Sequence, residues 1–221
     1  MRAAAAATAV EHEGAERTRE RLLDAAEKLF AARGFRATSV RHITAEAGCN
    51  LAAVNYHFGD KVGLYREMFH RRLGALRQRR IASLRRAVTD AGERASLETL
   101  LRAFTTSFLE PHLDESGGRR LMQLMTREML DPHLRPRTFE KEMLAPVHEA
   151  MSEAMRRLCP GLGRRAARRG AHSVVAQLVH VVQMRHNPKA CGGMLQADFA
   201  FPEVVNHIIR FSAAGIRAFQ R

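Results

Sequence analysis

The chain has 221 residues, 46% of them hydrophobic, and a formal net charge of +13. That apolar content can bury a core, which excludes wholesale disorder, and no stretch approaches the roughly 20 apolar residues of a membrane span. The positive charge suits a polyanionic partner, but the basic residues are spread along the chain, so charge supports such a partner without locating it.

Met1–Val10 is alanine-rich but lacks the bulky apolar core of a signal peptide, and charged residues follow at once. Residues 1–15 therefore read as a disordered arm. Glu16–Arg33 reads as an amphipathic helix with Leu22, Ala26, Leu29 and Phe30 on one face, closed by Gly34. In Thr38–Lys61, Val40, Ile43 and Ala47 lie at helical spacing, behind hydroxyls at Thr38 and Ser39 that can cap a helix start. Gly48 ends that helix, Asn50 caps the next, and Leu51–His57 makes about two further turns. This is the outline of a helix-turn-helix, whose second helix enters a major groove.

Lys61 opens a fourth helix to about Val88, with Tyr65, Phe69, Leu73 and Leu76 on its apolar side. Seven arginines, from Arg71 and Arg72 through Arg77, Arg79 and Arg80 to Arg85 and Arg86, read as a solvated face, as do Arg164, Arg165, Arg168 and Arg169, the alternative for either run being acids met in the helical domain. Further helices are predicted over Ala95–Leu109, broken by Pro111 and Gly117-Gly118, and over Arg119–Leu130, ended by Asp131-Pro132. Pro136–Leu158 is the seventh, with Pro146 expected to kink or split it. Gly163–Asn187 and Glu203–Phe219 are the eighth and ninth, joined by a loop over His186–Asp198. The expected fold class is all-α, about nine helices: residues 16–62 form a helix-turn-helix domain and 63–221 a C-terminal helical domain.

The series Thr38-Ser39-Val40, Ile43, Ala47-Gly48, Tyr56-His57-Phe58, Lys61 and Leu64 resembles the DNA-binding domain of the TetR (tetracycline repressor) family, over roughly residues 16–70. Asn50–Tyr56 and Phe58-Gly59 also resemble the CecR-like regulators of antibiotic sensitivity. Cys49-Asn50, Ala52 and Asn55 depart from the commoner pattern beside the base-reading face, so they bear on sequence specificity and not on fold. The resemblance implies a repressor that binds a palindromic operator and is released by a small-molecule effector.

The resemblance places Leu51, Ala52, Ala53, Asn55, Tyr56 and His57 near double-stranded DNA. Asparagine can pair with adenine, alanine can touch a thymine methyl, and tyrosine or histidine can bond phosphate. Ser39, Arg41 and Lys61 stand at helix starts that attract phosphate. Taken alone, Tyr56 reads as a core filler, and Arg41 fits a solvated charge equally well. Phe104, Phe108, Met122, Met125 and Met129 form an adaptable apolar set for an effector, with Gln177 and His180 as polar contacts, although each also fits ordinary core. Val175, Leu178, Val182, Val205, Ile209 and Ile216 carry surplus apolar surface for a homodimer interface, which doubles the few base contacts of one short helix.

Cys49, Cys159 and Cys191 show no paired spacing, so a reduced cytoplasmic setting is expected. The histidines show no metal-ligand spacing, and no cofactor is expected. No GxSxG, HExxH, GxGxxG or phosphate-binding glycine motif is present, which counts against a helical enzyme. A non-specific basic DNA-coating protein is the other alternative, and competition with unrelated DNA separates it.

Overall fold

The computed structural model describes residues 2–90, 92, 95–113, 115–186 and 201–220. Among them lie nine α-helices and no β-strand. The helices are α1 Arg2–Ala37, α2 Val40–Ala47, α3 Leu51–Phe58, α4 Lys61–Thr89 and α5 Leu97–Leu113, then α6 Glu115–Leu130, α7 Ala145–Leu158, α8 Arg164–His186 and α9 Phe201–Arg217. They form two compact units, one of residues 1–72 and 120–136, the other of residues 73–119 and 137–221.

Several elements differ from expectation for local reasons. Helix α1 starts at Arg2, where a disordered arm was expected; the alanine run is the strongest helix former available. Gly34 leaves helical geometry at φ 82° and ends the regular part of α1, as its freedom at positive φ allows. Pro111 lies inside α5 instead of breaking it, and Gly117-Gly118 lie inside α6. A Cβ on Gly118 would come within 2.7 Å of the His112 backbone, so this glycine permits close approach between the end of α5 and the start of α6. Pro146, expected to kink or split the seventh helix, does not break it: the chain is helical from residue 138 to 158, with a π-helical turn at Glu140–Leu144 just before the proline, and Arg77 donates to the Glu142 carbonyl that the missing N–H leaves open. Most of the expected loop His186–Asp198, with Cys191, lies outside the described residues.

The core of the first unit is Leu22, Leu23, Ala26, Phe30, Ile43, Val54, Leu64, Met68 and Phe69, all buried. Tyr65 stands at its aromatic centre, 4.9 Å from Phe30, 5.0 Å from Phe35 and 4.9 Å from Phe69 between ring centroids. Its hydroxyl donates to Glu128 at 2.8 Å, and Glu128 also accepts from the backbone N–H groups of His133 and Leu134. Burial and this carboxylate push the Tyr65 phenol far up, so it stays protonated. Arg127 donates to the carbonyls of Ala31 and Ala32, satisfying orphan acceptors at the end of α1.

In the second unit α7 packs on α8, and α9 on α5 and α8. Leu100, Leu101, Phe104, Met151, Met155, Val174, Leu178 and Ile209 are buried there. Arg217 of α9 forks onto Glu98 of α5, which raises the arginine and lowers the carboxyl from their ordinary values, chiefly through the side-chain hydrogen bond.

Candidate functional site

The helix-turn-helix is built by three local devices. The Ser39 hydroxyl accepts from His42 N–H at 3.2 Å, while His42 Nδ1 accepts from Ser39 N–H, a reciprocal cap at the start of α2. Gly48 closes α2 in the left-handed conformation at φ 62°, ψ 41°. Asn50 Oδ1 accepts from Ala53 N–H at 2.9 Å and starts α3. Two residues absent from the sequence argument fix the next turn. Asp60 accepts from Gly63 N–H at 2.6 Å and caps α4, and Gly63 lies so close to Phe58 that a Cβ would meet its carbonyl oxygen at 2.0 Å. The Asp-x-x-Gly spacing before an apolar run was the available signal.

Helix α3 is anchored by Val54, which is fully buried. Leu51, Ala52, Asn55 and Tyr56 are exposed, and Ala53 and His57 half-buried. At 80% exposed, Tyr56 fills no core; its ring stands 4.9 Å from that of His57. A two-turn helix held by one valine leaves an outward face of apolar, amide and phenolic groups suited to base edges and phosphate. Arg41 is exposed beside it. Lys61 instead folds its ammonium over the Phe35 ring at 4.2 Å, and burial lowers its pKa. In the turn, Arg21 donates to the Gly48 carbonyl at 3.0 Å and lies 2.9 Å from the Cys49 sulfur.

The other candidate residues are divided between the units. Met122, Met125 and Met129 belong to the first, and Met129 is 81% exposed. Phe104 and Phe108 are buried in the second, 6.0 Å apart between ring centroids. Gln177 donates to the Ser212 hydroxyl at 3.2 Å, tying α8 to α9, and His180 is exposed. Among the interface candidates, Val175, Leu178, Val182, Ile209 and Ile216 are buried in the chain's own packing, and Val205 is half-buried. A side chain already buried within its own chain has no surface left for a partner. The outward faces carry Ala176 and Val179 on α8, and Phe211, Ala214, Gly215 and Ala218 on and just after α9.

The arginine run on α4 is not one solvated face. Arg71 pairs with Glu20 and Asp24 at 2.6 and 2.7 Å, Arg77 donates to the Glu142 carbonyl, and Arg79 lies 3.9 Å from Glu110. Arg80 is buried, with its guanidinium 3.9 Å from the Phe108 ring centre. Burial pushes its pKa down to about 9, which still leaves it charged at neutral pH. Stripping water from an ion costs roughly several kcal/mol, and a desolvated cation–π contact returns about 2 kcal/mol. The ring alone does not offset the burial.

Residues 22–68 match the family profile described as bacterial regulatory proteins, tetR family, and residues 102–215 the profile for the tetracyclin repressor-like C-terminal domain. Comparison with curated proteins finds no significant match. Among solved structures the chain is similar to the transcriptional regulator FadR from Bacillus subtilis in complex with stearoyl-CoA, at 17% identity, 89% and 98% coverage of the two chains and a TM-score of 0.62. A regulator from Streptomyces coelicolor is 23% identical over 91% of this chain and 95% of that one, with a TM-score of 0.51. HlyIIR, a hemolysin II transcriptional regulator, is 20% identical over 90% and 98%, with a TM-score of 0.55. At these identities the structures speak to the fold.

Proposed function

Because this chain belongs to the TetR family of bacterial regulatory proteins, we propose that it is a homodimeric repressor that binds a palindromic operator and is released when a small molecule occupies its helical unit. It is a DNA-binding transcription regulator and not an enzyme. The observation that carries the repressor reading is the outward face of α3, where Leu51, Ala52, Asn55 and Tyr56 are exposed while Val54 holds the helix to the unit. The contacts proposed are Asn55 and Ala52 with base edges, and Tyr56, His57, Arg41 and Ser39 with phosphates. Lys61 joins them by swinging off Phe35.

Dimerisation is supported by the exposed strip Val179, Phe211, Ala214, Gly215 and Ala218, whose small residues allow two helix pairs to approach closely. Two-fold pairing would set two α3 helices one DNA turn apart, about 34–36 Å. The effector reading is supported by the match to the tetracyclin repressor-like C-terminal domain profile, and the fold relative FadR was solved with stearoyl-CoA; Phe104 and Phe108 are closed in the packed core of the second unit. Helix α4 runs unbroken from Lys61 to Thr89 and contributes to both units, so a ligand favouring one position of α4 would alter the spacing of the recognition helices. No described helix is long and apolar enough to cross a membrane, and we place the activity in the cytoplasm, with the DNA.

The test is footprinting of the full chain on the intergenic DNA beside its own coding region. Two protected half-sites related by a two-fold axis are expected. Protection with no such symmetry would remove the dimeric-repressor reading.

A further inference from the structure

The α4–α5 contact of the second unit holds a positive charge with nothing to answer it. Arg80 is only 7% exposed, and its Nε is buried without a hydrogen-bond partner. Among the described residues no carboxylate pairs with it. Its neighbours on α4 differ: Arg77 is held by the Glu142 carbonyl and Arg79 lies near Glu110. On α5, the Thr105 hydroxyl is fully buried and also lacks a partner, whereas Ser83 donates to the Ser107 hydroxyl at 2.9 Å and Ser107 donates to the Phe104 carbonyl. A buried guanidinium is retained where something neutralises it, and the Phe108 ring offsets only part of its desolvation.

We propose that Arg80 anchors the carboxylate of the effector, an amphipathic organic monoanion that parts α4 from α5 as it enters, since Phe104 and Phe108 are closed by the chain's own packing. This rests on the effector reading above. The guanidinium fork matches a carboxylate with two parallel hydrogen bonds. One guanidinium suits a single negative charge; a phosphate dianion would call for more positive charge than Arg80 alone supplies. The neighbouring rings Phe104 and Phe108, 6.0 Å apart, call for an alkyl or aromatic skeleton behind the charge.

The test uses the full chain with decanoate and 1-naphthoate, each against the primary amide of the same skeleton. Thermal unfolding and calorimetric titration are run on the wild type, Arg80→Met and Arg80→Lys. The wild type is expected to bind the carboxylates at least about tenfold more tightly than the amides, the worth of one charge-assisted hydrogen bond. Arg80→Met is expected to abolish that preference, leave amide binding unchanged, and melt no lower than the wild type without ligand, since the desolvation it relieves outweighs the Phe108 contact it loses. Should Arg80→Met fail to fold, Arg80→Lys decides: weaker carboxylate binding with unchanged amide binding supports the proposal, and unchanged carboxylate binding overturns it. Wild-type protein that binds acids and amides equally overturns the anion anchor and leaves the effector reading standing. If neither series binds or releases DNA, the effector reading falls and the anchor with it.

Discussion

Val54 and Tyr56 stand two residues apart on α3 with opposite fates: the first is fully buried, the second 80% exposed. Tyr56→Ala should therefore weaken operator binding without lowering the melting temperature, and a lowered melting temperature would return Tyr56 to a packing role. Asn55→Ala should cost about 1–3 kcal/mol and relax preference at one base pair per half-site, read by titrating single-base operator variants. His148 gives a pH prediction. Its pKa is lowered by burial first, then by His172 and Arg168, from an ordinary value of 6.5. The folded chain thus holds this imidazole neutral, and below pH 6.5 the unfolded chain takes up the proton first. Stability should fall as pH drops through that value and level off below the folded pKa, and His148→Gln should flatten the fall in melting temperature. At this scale the caps were legible because Ser39, Gly48 and Asn50 act on their own backbone. The fates of Arg71, Arg77 and Arg80 were not, because each depends on what the fold brings opposite: two carboxylates, a carbonyl and an aromatic ring.

Among elements, Gly118 and Gly74 separate a glycine needed for contact from one that is not. A Cβ at Gly118 would strike the His112 backbone at 2.7 Å, while one at Gly74, inside α4, meets nothing within 4 Å. Gly118→Ala should lose stability, because overpacking costs about 1–3 kcal/mol and the helix-propensity gain is at most about 1 kcal/mol. Gly74→Ala should gain up to about 1 kcal/mol, and denaturant titration checks both. Helix existence and order were legible because apolar residues recur at helical spacing along every segment. Where α5 ends and α6 begins was not, because Pro111 and Gly117-Gly118 read as breakers until the packing of the two helix ends is seen. That Pro146 disturbs the seventh helix was legible, since a proline removes a hydrogen bond wherever it stands; that the helix runs on through a π-helical turn was not, because Arg77, distant in sequence, meets the Glu142 carbonyl.

For the whole molecule, apolar periodicity marked α8 and α9 as helices, but which stripe faces out depends on what the chain buries for itself. Val182 and Ile209 are 3% and 1% exposed, so a charge at either should unfold the chain. Phe211, 64% exposed and stacked on His207, is the position whose charge should part a dimer without unfolding it. Phe211→Glu is expected to give folded monomer by light scattering, and a persistent dimer would remove this face. The proposed function has the exposed face of α3 serve sequence-specific recognition, and one titration tests that most directly. The full chain is titrated at physiological salt with a palindrome from its own intergenic DNA and with scrambled DNA of the same length. The account predicts a preference of at least about 10³ for the palindrome. Equal affinity for the two would contradict it.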